Sequence, residues 1–298
     1  MLQRAPHLFV ALGLAALVLV SSALTSCRRK EAPAPPMATP SITLNHDKTP
    51  LGSPIDVTYK FVVANDAHFT EDLRAMVHVV DADDELIFSF DHTPPIPTTQ
   101  WKAGQTVEYT RTVFIPIYPY VGEATIQLGL HSTTTQKRVA LAGEDAGQHA
   151  YRVAKIQLQP QTENVFTVFK EGWHPAEIAD HNATIEWQWT KKDATLSFKN
   201  PRRDSVFYLD LDNPGSAFNE PQQVTITLGG QIVDEFTLKP KQPELRKIPF
   251  KAAQLGTGDV VEVVISVDKT YVPAVLVPGS KDPRELGVRV FHAYVDPR

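Results

Sequence analysis

A short alternation of apolar and polar residues recurs along this chain and is cut each time by turn residues after about one strand's length. Ile55-Asp56-Val57-Thr58-Tyr59 is one instance, residues 107–115 a second, and Ala124-Thr125-Ile126-Gln127-Leu128 a third. A period of two puts every second side chain on one face, which suits a strand buried on one side and not a helix. Residues 76–80 and 86–90 flank the polar stretch 81–85 and predict a hairpin. Ile156-Gln157-Leu158 closes the first half. In the second half the runs fall at 194–198, 206–211, 224–228, 231–238, 260–267 and 287–295. Gly229-Gly230 joins two of them, and two glycines supply the positive φ that a two-residue hairpin turn demands. Sustained helical periodicity is almost absent. The 24 prolines lie largely between the runs, where missing N–H donors do least harm. The pattern predicts an all-β chain of two consecutive β-sandwich domains, 41–160 and 161–298, meeting near Gln159-Pro160-Gln161-Thr162-Glu163.

The first 26 residues have another pattern. One positive charge, Arg4, precedes an apolar run over residues 8–20 and a small, polar stretch over 21–26. That is the layout of a secretory signal, and the run is short of the roughly 20 apolar residues a membrane-spanning helix needs. Leu24-Thr25-Ser26-Cys27 resembles the bacterial lipobox, in which an aliphatic residue and two small residues precede the lipidated cysteine. The resemblance implies cleavage before Cys27, the only cysteine, and a lipid on its thiol. Arg28-Arg29-Lys30 then favours anionic headgroups, and a proline-rich stretch to Pro40 makes residues 27–40 a semi-rigid tether. Arg28 stands where inner-membrane retention in enteric bacteria is associated with aspartate, so the expected location is the cell envelope, with the outer membrane favoured.

Removing residues 1–26 leaves 28 Lys+Arg against 34 Asp+Glu, a mild acidic balance that offers no footprint for nucleic acid. No cysteine then remains for disulfides, so each domain must stand on its own core. Enzyme signatures are missing: there is no Gly-x-Ser-x-Gly elbow, no His-Glu-x-x-His and no phosphate-binding glycine loop. Glu177, Asp180, His174 and His181 cluster in sequence without the spacing of a metal site. Asp81, Asp83, Asp84 and Glu85 lack the central glycine of a calcium loop. No cofactor is expected.

Three stretches of the second half carry a resemblance: Gly172-Trp173-His174-Pro175-Ala176-Glu177, Glu186-Trp187-Gln188-Trp189, and Asp282-Pro283-Arg284-Glu285-Leu286-Gly287-Val288. Together they are similar to the jelly-roll-like accessory module of bacterial cell-surface glycosyltransferases, over residues 165–298 at most. The chain departs from those proteins in having no transferase domain, so the resemblance implies association with surface glycans and no catalysis. Trp101-Lys102-Ala103-Gly104-Gln105 before the run at 107–115 resembles a pattern of immunoglobulin-like envelope modules and implies that fold for the first domain.

Candidate ligand-binding residues are therefore Trp173, Trp187 and Trp189, whose indole faces suit sugar rings, together with Asp282 and Arg284. Trp187 and Trp189 are two apart and share one face of a strand, inward as core or outward as platform. Arg284 has a second reading, a structural pair with Glu177, because the first and last strands of a jelly roll often lie side by side. The sequence reads as a non-enzymatic, membrane-anchored envelope lipoprotein that binds or organises a surface polysaccharide or a protein partner. The alternatives are an assembly component without a glycan site, and a glycan hydrolase built on two facing carboxylates.

Overall fold

The computed structural model describes residues 34–117, 120–161, 166–180, 182–215 and 220–298; the signal segment and Cys27 lie outside them. Residues 36–298 form one compact unit. The first half contributes β1 (Ala38–Leu44), β2 (Lys48–Pro50), β3 (Pro54–Val63), β4 (Leu73–Val80), β5 (Leu86–Ser89), β6 (Thr106–Phe114), β7 (Gly122–Ser132), β8 (Glu144–Asp145) and β9 (Tyr151–Gln159). They form a three-stranded sheet, β1-β3-β6, and a larger sheet, β2-β9-β7-β4-β5, with β8 paired to β9. The alternation seen in sequence is the burial pattern: Val57, Tyr59, Phe61 and Val63 of β3 point inward, against Val77, Val79, Ile126 and Leu128 of the facing sheet. Trp101 is buried between Phe61 and Phe69, and its indole N–H donates to the Ile96 carbonyl at 2.9 Å.

The tether is shorter than its proline content suggests. Ala38 is 1% exposed and opens β1, so residues 38–40 belong to the first sandwich and not to the linker, a correction to the 27–40 boundary. Pro40 fits because β1 is an edge strand, paired on one side only, with β3. Chain entry and exit lie at opposite ends of this sandwich. Ala38 meets Val63 and the Ala142 amide at one end, while Gln159 bonds Leu51 at the other, where β3 begins and β6 finishes.

The second half contributes β10 (Thr167–Phe169), β11 (Glu177–Ala179), β12 (Asn182–Trp189), β13 (Asp193–Lys199), β14 (Ser205–Asp212), β15 (Gln222–Leu228), β16 (Gln231–Leu238), β17 (Glu244–Phe250), β18 (Val260–Val267) and β19 (Arg289–Pro297). Two five-stranded sheets, β10-β13-β18-β15-β16 and β11-β12-β19-β14-β17, enclose a second core of Leu196, Phe207, Leu209, Ile226, Phe250, Ile265 and their neighbours. Apart from the hairpins β11–β12 and β15–β16, each connection crosses from one sheet to the other, the weave of a jelly roll. The β15–β16 turn is made by Gly229 and Gly230, with φ of 56° and 80°. Gly172, at φ +84°, brings the chain from β10 into Trp173; a Cβ there would land on the Asp193 carbonyl oxygen.

The two sandwiches meet along a seam. Tyr208 of β14 and Tyr294 of β19 face outward from the second core, yet they are 3% and 7% exposed. Phe114, the last residue of β6, covers Tyr208 edge-on at 6.4 Å and stacks flat on His292 at 4.0 Å. Lys247 of β17 bonds both oxygens of Asp56, at 2.7 and 3.0 Å. Burial pushes the Asp56 carboxyl up, but hydrogen bonds from Lys247 and Thr112 outweigh it, and the group sits below the usual carboxylate range.

Candidate functional site

The outer face of the sheet β11-β12-β19-β14-β17 collects most of the residues singled out in the sequence. Glu177 lies opposite Trp187, Trp189 opposite Arg289, and Arg289 opposite Asp212. The spacing of two therefore does place both tryptophans on one face, the face turned from the core. At its centre the Arg289 guanidinium sits over three rings, 5.0 Å from Trp187, 5.3 Å from Phe291 and 5.9 Å from Trp189. Asp212 fixes it with two hydrogen bonds, from Nε at 2.8 Å and Nη2 at 2.7 Å.

A β-bulge shapes the rest of this face. Leu211 pairs with Val290 and Asp210 with His292, so Phe291 is the extra residue in β19. Without the bulge, residues 291 and 292 would point to opposite sides. With it, Phe291 packs toward Arg289 and Trp187, while His292 Nδ1–H donates to Asp210 at 3.0 Å. A row of rings results: Trp187, Phe291, His292 and then Phe114 of the first sandwich. Trp187 is half-buried, and its buried indole N–H has no hydrogen-bond partner among the described residues.

The other candidates are placed differently. Trp189 is 6% exposed beneath the loop after β18, where Tyr271 meets it edge-on at 5.9 Å and Leu286 completes a small apolar cluster. It has no surface left for a ligand, a correction that the spacing alone does not supply: the face is outward, but a loop closes over it. Trp173 is half-buried against the second core, donates to the Thr195 carbonyl at 2.8 Å and meets Phe169 edge-on at 4.7 Å. It lies across the sandwich from the row of rings, on the side of β13.

Arg284 forms the expected pair with Glu177, Nη1 to Oε1 at 2.6 Å, and is gripped by Asp282 through Nε and Nη2. The hydrogen bonds from Arg284 hold the Asp282 carboxyl below its usual range. The route differs from the expectation of adjacent terminal strands. β12 separates β11 from β19, β10 lies in the other sheet, and Arg284 reaches Glu177 from the loop before β19. Both partners are one-third exposed, so a pair of this kind contributes about 1 kcal/mol. Replacing Glu177 with Gln and Arg284 with Met, singly and together, is expected to show a coupling of about that size in denaturant unfolding; purely additive losses would mean that the contact does not tie the loop down.

His174 Nε2 bonds the Glu285 carbonyl at 2.7 Å, and His181 lies outside the described residues. Among the described residues no three His, Cys, Asp or Glu side chains come together as metal ligands. Asp81 closes the β4–β5 hairpin by accepting from the amides of Asp83 and Glu85, and Asp84 pairs with Arg152. Arg289, Phe291, His292 and Phe114 were not among the sequence candidates. A signal existed for the bulge: inward positions at and just before β19 run 288, 290, then 293, 295, a slip of one in the alternation.

No protein-family model matches this chain, and no curated protein matches it. Solved structures do. A family 35 carbohydrate-binding module from Clostridium thermocellum aligns at 10% identity over 45% of this chain and 99% of that one, with a TM-score of 0.28. Carbohydrate-binding modules of the β-sandwich superfamily, described as promiscuous in specificity, align at 9% over 87% and 99%, with a TM-score of 0.25. A family GH115 4-O-methyl-α-glucuronidase with specificity for decorated arabinogalactans aligns at 15% over 49% of this chain, with a TM-score of 0.32, and the match spans only 19% of the enzyme. The chain thus has distant structural similarity to carbohydrate-binding β-sandwich modules and glycoside hydrolase domains, at the level of sheet packed on sheet, and belongs to no matched sequence family.

Proposed function

We infer that this chain is a lipid-anchored, non-catalytic envelope protein whose second sandwich binds a polysaccharide on the outer face of β12 and β19. The observation that carries the reading is Trp187: a half-buried indole, braced by a fixed guanidinium and continued by Phe291. Rigid aromatic rings bind apolar sugar faces at little entropic cost, and this ring is held in place before any ligand arrives. The carboxylates around it, Glu177, Asp282 and Asp212, are each engaged by an arginine, which favours binding over acid–base hydrolysis. The test is a polysaccharide array probed with the full chain in detergent. Retention of a defined polysaccharide is expected, weakened about tenfold in Trp187→Ala, a loss of about 1.4 kcal/mol. An array without retained ligand, or an unaffected Trp187→Ala, would sink the reading.

The anchor rests on the lipobox resemblance at Leu24-Thr25-Ser26-Cys27 and on the basic trio beside it, with the outer membrane the proposed location. Metabolic labelling with a fatty-acid analogue should mark the wild type and leave Cys27→Ser unmarked. Equal label on both would remove the lipid from Cys27.

A further inference from the structure

The row of rings does not stop at the edge of the second sandwich. From Trp187 it passes to Phe291 at 6.2 Å, to the neighbouring His292, and across the seam to Phe114 at 4.0 Å, where the ring planes are 4° apart. Phe114 belongs to β6 of the first sandwich, so its place in the row depends on the seam. The seam is held below by Lys247 on Asp56 and by the buried outward tyrosines Tyr208 and Tyr294. The His292 side chain is 46% exposed. The core of neither sandwich needs this arrangement: residue 291 is surplus to the ladder, and the bulge that accommodates it is what turns two successive rings outward.

The charges on the row narrow the ligand. At the Trp187 end the two arginines are already taken, Arg289 by Asp212 and Arg284 by Glu177 and Asp282. Asp210 is bonded by His292, and Lys247 by Asp56. Among the described residues no cation on the row is left to hold a carboxylate or sulfate group. A partly exposed aromatic row whose neighbouring cations are paired fits a chain of uncharged sugars lying along it.

We propose that the binding face extends across the seam from Trp187 to Phe114 and takes a neutral linear polysaccharide along its length, so that affinity grows with the number of sugars. This rests on the glycan-binding reading of Trp187 and adds a second, distant contact supplied by the first sandwich. The two ends are separable because a short fragment reaches Trp187 without reaching Phe114.

The experiment uses the full chain in detergent and the neutral polysaccharide most strongly retained on the array, cut to disaccharide, tetrasaccharide and octasaccharide. Affinity is expected to rise with length. Phe114→Ala should weaken the octasaccharide about tenfold and leave the disaccharide unchanged, while Phe114→Trp, which keeps a ring at the seam, should retain octasaccharide binding. Trp187→Ala should weaken every length, and added salt should change none of these affinities, since no ion pair forms with the ligand. Equal affinity for all lengths, or an unaffected Phe114→Ala beside a weakened Trp187→Ala, overturns the extended face and leaves the Trp187 site standing. Preferential retention of uronate-bearing chains overturns the neutral assignment. Indifference to both substitutions overturns the extended face and the Trp187 site together.

Discussion

Replacing Asp212 with alanine is expected to destabilise the second sandwich by about 3 kcal/mol, at the low end for removing one partner of a buried ion pair. The Asp212 side chain is 9% exposed and that of Arg289 22%. The carboxylate takes two short hydrogen bonds from a guanidinium that is otherwise walled by three aromatic rings. Without Asp212 the cation stays between those rings with little water and no counter-charge, and Trp187 loses the brace behind its indole. Removing both charges, as Asp212→Leu with Arg289→Met, should recover most of the loss, because apolar replacements need no desolvation of an unpaired charge. Urea unfolding of the wild type and the two variants checks this. A single-variant loss under about 1 kcal/mol, or a double variant no more stable than Asp212→Ala, would show that the pair is not what holds the face together.

The first sandwich should lose stability as pH falls from about 6.5 toward 4, by up to about 3 kcal/mol through one histidine. His92 is 5% exposed and lies against Tyr59 and Tyr109. Its Nδ1–H donates to the Phe90 carbonyl at 2.9 Å and Nε2 accepts from the Tyr109 hydroxyl at 2.9 Å, so the neutral ring is fully bonded. Burial pushes the imidazole down to about 4; the hydrogen bond to Phe90 and the charge of Asp91 oppose the shift, and Arg111 and Arg74 add to it. An unfolded chain binds a proton on this histidine below about 6.5, while the folded chain refuses it until about 4. Acid therefore favours the unfolded state throughout that window and the penalty is complete below it. Carboxylates such as Asp56 and Asp282, held low in the folded chain, also lose their contribution in acid. His92→Gln isolates the histidine: wild type should lose up to about 3 kcal/mol more than the variant between pH values of about 7 and 4. Parallel stability profiles for the two proteins would remove His92 as the acid-sensitive group.

Central strands were legible because a buried face imposes strict alternation, as in β3, β7, β15 and β18. The hairpins at Asp81–Glu85 and Gly229-Gly230 were legible because their turn residues have local reasons to be there. Edge strands were legible only where their turns or alternation were strong, as in β5, β6 and β16, and not in β17. β17, Glu-Leu-Arg-Lys-Ile-Pro-Phe, carries three charges and Pro249, and it is tolerated because it pairs on one side only, with β14. The first three residues of β1, ending in Pro40, were absorbed into the tether for the same reason. Of the site, spacing gave the shared face of Trp187 and Trp189, and the jelly-roll resemblance gave the partner of Arg284, though by adjacent terminal strands that the topology does not have. The loop that hides Trp189 and the seam that adds Phe114 come from contacts between residues far apart in sequence, which no local pattern encodes.

Entry and exit at opposite ends of the first sandwich set how it would carry tension. A pull between Ala38 and the second sandwich runs lengthwise along β1, whose ladder bonds lie across that direction. The seven paired positions of β1 and β3 are then loaded together, in shear, rather than peeled one after another. A protein held by its N-terminus while its far domain grips a moving polymer would yield abruptly at a high force, and would transmit tension up to that point with little extension.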